Sequence, residues 1–129
     1  MSESSISFFC RPVFAVTDML RALHYYKTAL AFRHDWSAPA DADIPICAQV
    51  SRGKTEILLW NDPTLQPRAR AYITLEHEHR LVALHDELED NGAIITSPPA
   101  PRTWGPYGFI VEDIDQNQLY FVGQAPAAT

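Results

Sequence analysis

Apolar residues recur at helical spacing in two stretches of the chain and at strand spacing across most of the rest. In TDMLRALHYYKTAL, residues 17–30, Met19, Leu20, Leu23, Tyr26, Ala29 and Leu30 fall on one face of a helix entered through Thr17 or Asp18 as N-cap. In HEHRLVALHDELEDNG, residues 77–92, Leu81, Leu84 and Leu88 mark a buried face, and Asn91-Gly92 supplies a C-terminal stop. ISFFCRPVFAV (6–16), AFRHDW (31–36), IPICAQVS (44–51) and KTEILLW (54–60) read as strands around the first helix. AYITLE (71–76), AIITS (93–97), YGFIVED (107–113) and NQLYFVG (117–123) read the same way around the second.

The order β-α-β-β-β therefore occurs twice, offset by about 60 residues. NDPTLQPRA, with two prolines and few apolar side chains, is the connector between the copies. The expected organisation is one domain over 1–129: a first module at about 6–60, a linker at about 61–70 and a second module at about 71–123. One helix can cover only one face of a four-stranded sheet, so the other faces must close on a partner module or around a cavity. The expected fold class is α+β, with two tandem βαβββ modules forming a curled mixed β-sheet around a cavity and the helices outside.

Length and composition agree with such a unit. The chain has 129 residues, 47% of them hydrophobic and 20% charged, enough to bury a core without disulfides or a structural metal. A net charge of -6 and the lack of any basic stripe argue against a nucleic-acid partner. No run approaches the roughly 18 apolar residues of a membrane span, and MSESSISFF lacks the pattern of a secretory signal, so a cytoplasmic protein is expected. Cys10 and Cys47 lie far apart and outside any metal-binding spacing, which fits free buried thiols. No Gly-x-Ser-x-Gly and no phosphate-binding glycine loop is present, and neither cysteine has an obvious histidine partner, so no catalytic residue is assigned.

PVFAVTDMLRALHYYKTALAFRHDW near one end and WGPYGFIVEDIDQNQLYFV near the other resemble the vicinal oxygen chelate superfamily of glyoxalases, bleomycin-resistance proteins and extradiol dioxygenases. Bleomycin-resistance proteins are the nearest in kind. Two departures stand out: Ala31 and Gln116 occupy places where the family usually has glycine, and a positive φ there costs each about 1 kcal/mol.

The resemblance implies where a metal would sit. Metal-dependent members place one ligand on each of four strands, and the matching positions here are Arg11, Glu56, Tyr72 and Tyr120. Of these only Glu56 is a good ligand for a divalent ion, so neither metal nor other cofactor is expected. Arg11 is expected to stand in for the dication and pair with Glu56. Strand parity turns Tyr72, Thr74 and Glu76 toward the cavity, with Ala71, Ile73 and Leu75 on the helix side beside Leu119 and Phe121. His77, Glu78, His79 and His85-Asp86 are the alternative metal candidates, opposed by the ordinariness of solvated polar groups at a strand-to-helix junction.

The resemblance further implies a drug-binding cleft walled by aromatic rings, which by position are Trp36, Tyr72 and Trp104. Trp60 shares the parity of Glu56, and for it the core and the cavity readings stand level. Tyr107 follows the Trp-Gly-Pro loop and joins the set, with Tyr120, Arg11 and Glu56 as its polar members. The expected function is metal-free sequestration of a planar aromatic, possibly cationic drug or metabolite, an antibiotic-resistance activity carried by a homodimer with two equivalent clefts. The alternative is a metal-dependent lyase, dioxygenase or thiol transferase with an altered ligand set. A third reading is a cavity filled by its own side chains that serves only dimer stability.

Overall fold

A computed structural model describes residues 6–64, 68–102 and 105–124. The first module runs β1 (Val13–Val16), α1 (Met19–Thr28), β2 (Arg33–Ala38), β3 (Cys47–Arg52) and β4 (Thr55–Asn61). The second runs β5 (Arg70–Thr74), a 3-10 turn (Glu78–Arg80), α2 (Leu81–Asp90), β6 (Ile94–Arg102), β7 (Gly105–Glu112) and β8 (Gln118–Gly123). Each module forms a four-stranded sheet with the same topology, β1-β4-β3-β2 and β5-β8-β7-β6. Within each, the first and last strands of the module pair in parallel and the other pairs are antiparallel. The repeat read from the sequence is thus a repeat of topology, and the two sheets remain open.

Asp18 caps α1, its carboxylate accepting from the Arg21 N–H at 3.1 Å. Met19, Ala22, Leu23 and Tyr26 then bury one stripe of the helix. These residues join Phe14, Val16, Val50, Ile57 and Leu59 of the first sheet, Phe109, Val111, Leu119 and Phe121 of the second, and Leu81 and Leu88 of α2 in one continuous core. The helix-covered faces of both sheets therefore share a single interior. On the opposite face of the second sheet Ile110, Tyr120 and Val122 form a small separate cluster among the described residues.

Four local expectations are corrected. The strand expected over 6–16 is regular only from Val13, because residues 6–12 find no ladder partner. Regular α-helix begins at Leu81 rather than His77, after the 3-10 turn in which the Arg80 N–H donates to the His77 carbonyl (2.9 Å). The strand expected to end at Ser97 continues through the Pro-rich stretch as far as Arg102, with repeated register shifts. Proline is tolerated there because β6 is an edge strand whose outer N–H groups need no partner. Both cysteines are free, but neither is buried: Cys10 is exposed and Cys47 half-buried.

Ala31 and Gln116 do adopt left-handed backbone, at φ 59° and 67°. At Ala31 this lets the Phe32 N–H return to the Tyr26 carbonyl (2.9 Å) and close α1. At Gln116 it completes the turn in which the Gln116 N–H donates to the Asp113 carbonyl (3.0 Å). Ala31→Gly and Gln116→Gly should each stabilise the fold by about 1 kcal/mol, visible as a rise in thermal midpoint of about 4 °C.

The turn from Asp113 to Asn117 also ties the modules together. The Tyr26 hydroxyl donates to Asp113 Oδ2 (2.8 Å), and Asn117 Nδ2 donates to the same oxygen (3.0 Å) and to the Ala15 carbonyl (2.9 Å). Asp113 Oδ1 accepts the N–H groups of Asp115 (2.8 Å) and Asn117 (2.9 Å). Thr17 adds donors from its N–H and hydroxyl to Asp115 Oδ1, at 3.2 and 2.7 Å. Burial first, and then the charge of Asp113, pushes the Tyr26 hydroxyl far above its ordinary range, so it stays a donor.

Candidate functional site

Alternation along β4 turns Ile57 and Leu59 into the core and leaves Glu56, Leu58 and Trp60 on the open face. The parallel register sets Val13 beside Leu58 and Ala15 beside Trp60, so the residue two before Val13 falls beside Glu56. That residue is Arg11, and its Nε lies 3.2 Å from Glu56 Oε1. The expected pair is formed. On the second sheet Tyr72 and Tyr120 are register partners, with rings 5.1 Å apart at 79° in an edge-to-face contact.

The two pairs belong to one place. A cleft of about 470 Å³ lies between the residues leading into β1 and strand β5, lined by Cys10, Arg11, Lys54, Glu56, Tyr72 and Thr74. Tyr72 is more than half exposed in it, whereas Tyr120 is fully buried behind. Tyr120 is thus corrected from a ligand-touching residue to one that positions Tyr72. The parity expected for β5 and β8 holds, since Ala71, Ile73, Leu75, Leu119 and Phe121 all belong to the helix-side core.

Three further ring positions separate. Trp36 and Trp60 lie on the open face of the first sheet, opposite Gln49 and Cys47, and are 41% and 44% exposed. They share the face of Glu56 but do not line its cleft: Trp60 is four residues along β4, about 13 Å away at strand rise. Tyr107 is corrected outright. It shares the parity of Phe109 and Val111 and packs against the helix-side core. Trp104 lies outside the described residues.

Thr74, expected by parity to face the cavity, does line the cleft, whereas Lys54 and Gly108 were not singled out in the sequence. Lys54 reaches the cleft while its Nζ pairs with Glu76 at 2.9 Å. Gly108 lies beneath the Tyr120 ring: a Cβ there would stand 2.7 Å from Tyr120 Cε1 and would collide with the Phe121 carbonyl. A lone glycine inside the apolar run YGFIV was the available signal of a close approach.

A second hollow of about 380 Å³, lined by Phe32, Gly53, Ile73, Leu75, Leu84 and Phe121 among others, lies between the modules. Ion pairs border it, Arg52 with Glu87 (2.8 Å) and Lys54 with Glu76. Its apolar lining continues the shared core, so it is a packing seam and the open-face cleft is the better site.

The four positions that resemble a superfamily metal site do not fit an ion. Arg11 has no lone pair to give, and Tyr120 is buried against Tyr72. Glu56 and a phenol remain, short of the three or more donors such a site needs. The rings of His77 and His79 are 6.1 Å apart, and neither belongs to a metal-capable group among the described residues. His85, Asp86 and Glu89 do bring donor atoms within 4.8 Å of one another on α2. The His85 ring, however, lies edge-on to Phe109 and bonds to Asp86 at 3.0 Å, an ordinary helix-surface arrangement.

A family profile described as the Glyoxalase/Bleomycin resistance protein/Dioxygenase superfamily matches residues 7–121. No curated protein sequence matches the chain. Among solved structures, TioX from Micromonospora sp. ML1 is similar at 16% identity and TM-score 0.72, over 91% of this chain and all of that one. A superfamily member from Sphaerobacter thermophilus DSM 20745 is similar at 22% identity and TM-score 0.69, over 91% and 97%. Lactoylglutathione lyase from Agrobacterium tumefaciens is similar at 10% identity and TM-score 0.68, over 91% and 93%. At these identities the likenesses are of fold.

Proposed function

The chain belongs to the glyoxalase/bleomycin resistance protein/dioxygenase superfamily, and from that footing we propose that it binds a planar aromatic small molecule without a metal. One observation carries the reading: an Arg11–Glu56 ion pair and a Tyr72–Tyr120 ring pair occupy the strand positions where metal-dependent members keep ligands. A fixed charge pair and an exposed phenol ring suit recognition by stacking and hydrogen bonding, so the protein sequesters its ligand and does not transform it. Protection against an aromatic drug is one use of such capture.

The binding unit is a homodimer. Val13, Trp36, Ile44, Ile46 and Trp60 are exposed large apolar residues on or beside the open face of the first sheet, a surface of the kind that soluble chains cover. A second copy laid on that face would bring Trp36 and Trp60 toward the cleft and make two equivalent sites by symmetry.

Titration with bleomycin should give saturable quenching of tryptophan fluorescence, and Tyr72→Ala should weaken it about tenfold. Silence at high micromolar drug would remove bleomycin-like ligands from the reading. Protein purified without chelator should carry no stoichiometric metal; near-equimolar Ni, Zn, Fe or Mn would replace the reading with a metal-dependent enzyme. Light scattering during gel filtration should report twice the chain mass.

A further inference from the structure

We infer that the cleft selects a ligand carrying an oxyanion, a carboxylate or phosphoryl group, which the terminal nitrogens of Arg11 bind beside the Tyr72 ring. The inference rests on the aromatic-binding reading above and specifies the charge at one end of the ligand. A guanidinium offers five N–H donors. Among the described residues the one ion pair of Arg11 is the Nε–Glu56 Oε1 approach of 3.2 Å, and none of them accepts a hydrogen bond from either terminal nitrogen. Its side chain is 34% exposed, so those donors are neither buried against acceptors nor freely projected into solvent.

The surroundings add donors rather than acceptors. Phe9 stands over the guanidinium carbon at 5.0 Å, which shields one face and leaves the edge as the route of approach. The Thr74 hydroxyl and the Lys54 ammonium line the same cleft, and Thr74 makes no side-chain hydrogen bond to a described residue. Glu56 is the one carboxylate of the lining, and it already faces Arg11. An arriving carboxylate or phosphoryl group meets a planar fork of the shape it pairs with, whereas a cationic group meets the Arg11 guanidinium, the Lys54 ammonium being already paired with Glu76 at 2.9 Å. Glu56 orients the guanidinium through Nε and competes with the ligand for its charge.

Matched aryl probes test this by titration calorimetry: 2-naphthoate, 2-naphthyl phosphate and the uncharged 2-naphthamide. Wild-type protein should bind one or both anions about tenfold tighter than the amide, and whichever anion leads identifies the oxyanion preferred. Arg11→Gln should abolish that preference, bringing the affinities for the anions and the amide together. Glu56→Gln should tighten anion binding several-fold, the opposite of its effect on a cationic ligand. Equal affinity for naphthoate, naphthyl phosphate and naphthamide, or a preference that survives Arg11→Gln, overturns the oxyanion inference while leaving the aromatic reading intact. Failure of all three probes to bind sinks the aromatic reading and this inference together.

Discussion

Asp113→Ala should lower the unfolding free energy by about 3 kcal/mol or more, read as a shift of the urea midpoint at unchanged slope. The carboxylate collects four donors: the Tyr26 hydroxyl, Asn117 Nδ2 and the N–H groups of Asp115 and Asn117. Tyr26 and Asn117 are buried, so removing their acceptor leaves polar groups without water to replace it. The loss also uncouples the modules, because Tyr26 belongs to α1 and Asp113 to the turn before β8. Asp113→Asn should cost less, since an amide oxygen still accepts from the two backbone N–H groups.

Burial pushes the Asp113 carboxyl above its ordinary value, with the bonds from Asn117 and Tyr26 pulling the other way. The folded value thus exceeds the unfolded one. Its contribution is fully present below the unfolded value of about 4 and is lost as pH rises through the folded value. Asp113→Asn, which does not titrate, should flatten that fall. A wild-type stability that instead rises with pH over this window, with the rise absent in Asp113→Asn, would contradict the assignment.

Gly108→Ala is the second large expectation, at about 3 kcal/mol lost. The new methyl would meet the Phe121 carbonyl and the Tyr120 ring at once. Backbone cannot retreat like a flexible side chain, so β7 and β8 must part locally or the ring must lift. Tyr120 supports Tyr72, and the shift should therefore reach the cleft: the variant should bind aryl ligands more weakly than wild type under conditions where both are folded. Adding Tyr120→Leu should recover part of the stability by relieving the ring contact while leaving the binding loss in place. A Gly108→Ala protein with wild-type midpoint would show that the strands open at no cost.

The site was legible where one-dimensional periodicity governs it. Glu56 and Trp60 share a face because a strand alternates, and Tyr72 and Tyr120 point away from the helices for the same reason. The Arg11–Glu56 pair was implied by the family resemblance rather than by periodicity, and it is present at 3.2 Å. Tyr107 was read from the loop before it, although its parity with Phe109 already turned it toward the helix side, where it packs half-buried against the core. Depth was not legible either. Tyr72 and Tyr120 look equivalent along the chain, yet one lines the cleft and the other is sealed behind it, a difference made by which strand is central in β5-β8-β7-β6.

By itself the sequence determined the two βαβββ repeats, the helix faces and the shared parity of Glu56 and Trp60. All of these depend on local spacing and on the chemistry of single side chains. Tertiary structure alone decided that the Asp-x-Asp-x-Asn turn is the clasp between modules, that Gly108 makes room for Tyr120, and that Arg11 and Tyr72 line one cleft. Each of these joins residues far apart along the chain through hydrogen bonds or excluded volume, and contacts of that kind have no periodicity for a sequence to display.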